Sequence, residues 1–125
     1  MLSNIGELKM IDMVQIIDGK KVSDQLLVDL KEKIEGLISS GKRRPGLAVI
    51  LVGNDPASAT YVGRKKKVCE SLGMKSFDYV LSAAVTEDEL IALIERLNND
   101  QDVDGILLQV PLPKGLNERK LLDLI

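Results

Sequence analysis

The chain has 125 residues, 45% of them apolar, and a formal net charge of −2 with acids and bases interspersed. That suits one compact domain with a real core and shows neither a nucleic-acid footprint nor an acidic tail. A lone cysteine, Cys69, excludes an intrachain disulfide framework, and the absence of histidine excludes a His/Cys metal cluster and a histidine-based triad, so acid–base chemistry falls to Lys, Tyr, Asp or Glu and no metal is expected.

In chain order, residues 1–7 lack the basic start and continuous apolar stretch of a signal peptide, and no later apolar run is long enough to span a bilayer. A cytoplasmic location without a membrane partner is the expectation. Across 22–39, Leu26, Leu27, Leu30, Ile34, Leu37 and Ile38 recur at helical spacing and predict an amphipathic helix closing near Gly41. After Lys42-Arg43-Arg44-Pro45, the apolar, β-branched run 47–52 predicts a strand covered on both faces and ending at Gly53. Asp55-Pro56 then supplies an N-cap acceptor and a proline at the first helical position, for a helix able to run to Gly73.

Residues 76–82 form a weaker strand, and Thr86-Glu87-Asp88-Glu89 is a capping box for a helix carrying Leu90, Ile94 and Leu97 on one side. A second buried strand, 105–110, stops at Pro111 and Pro113 before a last helix over 117–125. Alternating strands and helices with short connections predict a single α/β domain, a mainly parallel sheet with helices on both faces. Ligands bind such sheets outside the carboxyl ends of the strands. Ser58, Tyr61 and Lys65 after the first strand and Gln109 on the second should therefore face one crevice.

Tyr61 and Lys65 stand one helical turn apart on one face and could meet the same ligand. A chance Tyr-x-x-x-Lys pair on a solvated helix reads identically; position after a buried parallel strand is what favours chemistry. Val68 and Leu72 continue that face toward the core, so Lys65 should be partly shielded, and a shielded lysine amine is a better acid–base group near neutral pH. Gln109, an amide in an apolar strand, must find partners or cost about 1 to 3 kcal/mol. A backbone hydrogen bond at the sheet end and a contact with Lys65 both meet that need, and the residues alone leave the two open.

Other motifs have plain explanations. Arg64, Lys65, Lys66 and Lys67 step about 100° apart on a helix and make no single basic face. Few aromatics, two Tyr and one Phe, argue against stacking on single-stranded nucleic acid, so no nucleic-acid partner is expected. Gly53-Asn54-Asp55-Pro56 lacks the Gly-x-Gly-x-x-Gly spacing and any Walker lysine. Cys69 reads as core.

Taken together, Leu51-Val52-Gly53-Asn54-Asp55-Pro56-Ala57-Ser58-x-x-Tyr61-Val62-x-x-Lys65 and Gly105-Ile106-Leu107-Leu108-Gln109-Val110-Pro111-Leu112-Pro113 resemble the two signatures of the methylenetetrahydrofolate dehydrogenase/cyclohydrolase family. Ile17-Asp18-Gly19-Lys20 and Leu97-Asn98-x-Asp100 also look like the family, in the same order and spacing. The resemblance implies a folate-binding catalytic domain over 1–125 that precedes an NADP-binding Rossmann domain, with no cofactor-binding residues in this chain. Lys65 would be the catalytic residue, Tyr61 would stack on the folate, and Gln109 would hydrogen-bond and tune the lysine. By the same analogy Ser58, Val62, Leu108, Val110 and Pro111 would line the folate pocket.

The implied reactions are NADP-linked oxidation of 5,10-methylenetetrahydrofolate and hydrolysis of the methenyl form to 10-formyltetrahydrofolate, with tetrahydrofolate derivatives as partners. The family's pterin-binding aspartate, in a Lys-Asp-Val-Asp-Gly motif, is expected beyond Ile125. Gln101-Asp102-Val103-Asp104-Gly105 resembles that motif but precedes the second strand, at the opposite end of the sheet from the site. An exposed apolar patch, covered by a partner domain or in a homodimer, is a further expectation. The competing readings are a folate-binding or interaction module without turnover, and a nucleotide-binding half-domain, which lacks the glycine spacing.

Overall fold

The computed structural model describes residues 14–125, so the reading of residues 1–7 lies outside it. Along the described chain come α1 (Gly19–Ser39), β1 (Gly46–Val52), α2 (Pro56–Ser71), β2 (Lys75–Leu81), α3 (Glu87–Asn98), β3 (Gly105–Leu108) and α4 (Glu118–Leu122). The strands form one parallel sheet in the order β2-β1-β3. Caps set the helix boundaries. Helix α1 begins ahead of its apolar period because the Asp18 carboxylate accepts the Lys21 amide at 3.1 Å, and Asn117 does the same for Lys120, also at 3.1 Å, at the start of α4. Helix α2 stops at Ser71, and Gly73 takes the left-handed turn (φ +80°) that leads into β2. Strand β3 ends at Leu108, short of the expected 110: the Gln109 amide still donates to the Ile50 carbonyl at 2.9 Å, but Pro111 has no N–H to continue the ladder.

Side chains alternate across β1. Ala48, Ile50 and Val52 join Leu108, Leu121 and the α3 residues Leu90, Leu93, Ile94 and Leu97 in one core cluster. Val49 and Leu51, of opposite parity, are buried outside that cluster, as are Ile34 of α1 and Cys69 and Leu72 around the end of α2. Helices therefore cover both faces. Each such buried Val, Leu or Ile side chain is worth about 1.5–3 kcal/mol, so the packed sheet rather than helix propensity carries most of the stability. Helix α1 is the exception: Ile34 is buried, but Leu26 is 62% and Leu30 41% exposed, with Val22 and Leu37 also facing solvent. This row is an exposed apolar patch, at a place the sequence reading did not specify.

The amino-terminal end of the sheet is closed by charge. Arg43 donates to both Asp104 carboxylate oxygens, at 2.7 and 2.9 Å. Asp104 also accepts the Gly46 amide at 2.9 Å and returns its own amide to the Gly46 carbonyl at 2.8 Å. Position 46 must be glycine, since an added Cβ would strike the Asp102 carbonyl oxygen and come within 2.8 Å of the Phe77 ring. Asp104 thus serves strand pairing, and Asp102 adds an ion pair with Arg43 at 3.9 Å; both lie far along the strands from Gln109, as their place before β3 suggested.

Candidate active site

At the carboxyl end the strand parity decides what meets what. Ile106 and Leu108 pack toward the α3 cluster, so the next residue, Gln109, turns to the opposite face of the sheet. There Lys65 of α2 donates from Nζ to Gln109 Oε1 at 2.8 Å, in a partly buried setting. Gln109 Nε2 donates in turn to the Val110 carbonyl at 3.0 Å. An ammonium only donates and a carbonyl only accepts, so the amide has one orientation that satisfies both partners. The two ways of satisfying Gln109 left open by the sequence are both in use, through different atoms. Lys65 keeps two further N–H directions for a ligand.

Tyr61 lies one turn earlier on α2, 54% exposed, offering a ring beside the amine. Val62 is half-buried, and Val110 (38% exposed) and Pro111 lie just past β3, joined by a cis peptide bond. Ser58 and Leu108 sit deeper. Ser58 is 3% exposed in the first turn of α2, and Leu108 is inside the core cluster, on the face away from Gln109. Lys65 is half-buried, though of the two residues expected to shield it only Leu72 is buried; Val68 is 39% exposed.

The neighbouring cations diverge as helical geometry requires. Lys66 pairs with Asp78 of β2 at 2.6 Å, while Arg64 and Lys67 face solvent. Burial opposes ionisation of Asp78, but hydrogen bonds from Lys66 and Ser76 outweigh it and hold the carboxyl below its ordinary range. Burial pushes the Cys69 thiol up, which suits a core residue and not a nucleophile.

The loop before α2 does not fit a dinucleotide. The Asp55 carboxylate caps the helix by accepting the Ser58 amide at 2.8 Å, and the amide and hydroxyl of Ser58 hold that carboxyl below its usual range. A negative charge therefore fills the position a pyrophosphate would take, and Pro56 contributes no N–H. Among the described residues no group of three or more His, Cys, Asp or Glu side chains could hold a metal ion, and no helix is long and apolar enough to cross a membrane.

One contact escaped the sequence reading: Glu118 accepts the Leu112 amide at 3.1 Å. Its signal was present, since Leu112 is the lone backbone donor between Pro111 and Pro113 and has no strand partner.

A family model described as the catalytic domain of tetrahydrofolate dehydrogenase/cyclohydrolase matches residues 17–125, and so takes in both signatures with Lys65 and Gln109. The chain belongs to this family. The bifunctional protein FolD of Legionella pneumophila (strain Corby) is 46% identical over 108 residues, which is 86% of this chain and 38% of that protein. The crystal structure of the bifunctional FolD dehydrogenase/cyclohydrolase from Campylobacter jejuni superposes with a TM-score of 0.83 at 48% identity, covering 86% of this chain and 38% of that one. The Trypanosoma brucei dehydrogenase–cyclohydrolase, solved with NADP cofactor and an inhibitor, gives 0.82 at 33% identity, covering 90% and 38%. The family domain thus occupies most of this chain, and the chain spans about two fifths of the length of these relatives.

Proposed function

We propose that this chain is the folate-binding catalytic domain of a bifunctional dehydrogenase/cyclohydrolase and that it hydrolyses 5,10-methenyltetrahydrofolate to 10-formyltetrahydrofolate. The observation that supports this most is the 2.8 Å hydrogen bond from Lys65 Nζ to Gln109 Oε1, which fixes an amine at the carboxyl end of the sheet beside Tyr61. The methenyl bridge is a cationic carbon between two folate nitrogens. Water adds to it and releases one proton; the carbon then parts from one nitrogen, and as the formyl C=O forms the remaining hydroxyl proton passes to that nitrogen. A single amine held against the bridge can move both protons, and general acid–base catalysis of this kind contributes about 10²–10⁴-fold.

In this reading Lys65 moves the protons, Gln109 holds the amine in place, and the Tyr61 ring packs on the folate. Val62, Val110 and Pro111 line the rim, while Ser58 and Leu108 support it from inside the fold. The oxidation of 5,10-methylenetetrahydrofolate belongs to the longer enzyme, where NADP accepts a hydride. Since the residues of this chain do not fit the dinucleotide, no hydride step is assigned to them.

The test is the decay of methenyltetrahydrofolate with wild-type protein and Lys65→Met. Wild type should exceed the uncatalysed rate and the variant should lose about 10²-fold or more of the excess, with its thermal melt unchanged. If both decay at the uncatalysed rate, the hydrolase reading fails. Calorimetric titration with a folate would then distinguish a binding module, the competing reading, from a chain that does not engage folate.

A further inference from the structure

The segment 109–117 carries Gln109 out of the sheet and over its carboxyl end, with few backbone hydrogen bonds of its own. Pro111 and Pro113 have no N–H, and the one internal backbone contact is Leu116 to the Pro113 carbonyl, at 3.4 Å. Two carboxylates hold the segment instead. Glu118 accepts the Leu112 amide at 3.1 Å in a partly buried setting. Glu87, at the start of α3, accepts the Asn117 amide at 2.9 Å and the Lys120 ammonium at 2.8 Å, and these two donors, Lys120 first, hold its carboxyl below the ordinary range. Helix α4 is short, but Leu121 is fully buried in the core, so the Glu118 backbone is anchored.

From these contacts we infer that Glu118 is a positioning residue for Lys65, acting through Leu112, Val110 and Gln109. Its carboxylate fixes the Leu112 amide two residues beyond Val110, and so fixes where the Val110 carbonyl points. That carbonyl receives Gln109 Nε2, which turns Oε1 toward Lys65. The requirement is an acceptor at that distance from the backbone, not a negative charge: Lys65 and Glu118 share no direct contact, and a glutamine side chain would present an oxygen at the same reach. The consequence for turnover rests on the hydrolase reading, whereas the effect on the position of Lys65 does not.

The test separates the two. In protein carrying ¹³C-labelled lysine, the Lys65 Cε signal is assigned by its loss in Lys65→Met. Glu118→Ala should move this signal and lower kcat for methenyltetrahydrofolate about tenfold with KM held, as expected for a misplaced catalytic amine. Glu118→Gln should restore both. Glu118→Asp, which keeps the charge and shortens the reach, should move the signal in the same direction as alanine and keeps the test available where Glu118→Ala does not fold. An unmoved Lys65 signal in the alanine and aspartate variants overturns the inference, and so does a glutamine variant displaced as far as alanine, because charge would then be the operative property. Should wild type show no turnover, the hydrolase reading fails while the signal still decides the positioning role.

Discussion

The two ends of the sheet are built from the same strands and carry polar networks of opposite character. At the amino end, Arg43, Asp104 and Gly46 exchange hydrogen bonds among themselves, with Asp104 accepting from a guanidinium and an amide and returning its own amide. At the carboxyl end, Lys65 gives one hydrogen bond to Gln109 and retains further donors, with an exposed tyrosine ring one turn away. A network closed on itself fixes strand register; one left open on one side can hold a ligand. Both contain charged residues of the kind a motif search would select, and only the fold tells them apart.

If that contrast is right, damage at each end should have a different signature. The largest expected effect is Gly46→Ala. The added methyl strikes the Asp102 carbonyl and crowds Phe77, and overpacking at a rigid backbone position costs about 1–3 kcal/mol. Urea titration should show the unfolding free energy falling by that amount and the midpoint falling with it, with folate binding per folded molecule unchanged; a midpoint equal to wild type would mean that the strand ends relax freely. Gln109→Met makes the opposite case. It removes the oxygen that Lys65 meets and keeps the length of the side chain, so kcat for methenyl hydrolysis should fall about tenfold while the urea midpoint stays near wild type. A large stability loss instead would place Gln109 among the structural groups.

Much of this was readable beforehand, for reasons that differ by element. The run from Leu47 to Val52 announces a doubly covered strand because every side chain is apolar, and the Thr86–Glu89 capping box marks the start of α3 because both of its reciprocal hydrogen bonds are spelled in four residues. The approach of Lys65 to Gln109 followed from topology, since parallel strands place their following loops on one edge. What stayed hidden depends on parity and distance. Leu108 and Gln109 are adjacent, yet one enters the core and the other the site, and Pro111 marks a stop without saying that β3 already ends at Leu108. Helix α1 carries a regular apolar stripe, but periodicity marks a face without saying whether anything covers it; most of that stripe is exposed here. The Glu118–Leu112 contact was legible only as an unmet need, the lone donor between two prolines.

The smallest expected effect tests whether the closed network at the amino end stabilises the fold at all. The Asp104 carboxyl sits at about 2, first because Arg43 donates to it and next because the Gly46 amide does. An aspartate in the unfolded chain titrates near 3.9. The folded state therefore binds fewer protons over that interval, so the contribution of Asp104 is fully present above the unfolded value and is lost as pH falls through the folded one. Its side chain is 49% and that of Arg43 45% exposed, so solvent and salt screen the pair and the effect is modest. The expected result is a melting temperature for wild type that exceeds that of Asp104→Asn at about pH 5 and converges on it toward about pH 2, with a smaller gap in molar salt. Parallel curves across that range would mean that the hydrogen bonds to Gly46, which asparagine can partly reproduce, hold the strand ends without help from the charge.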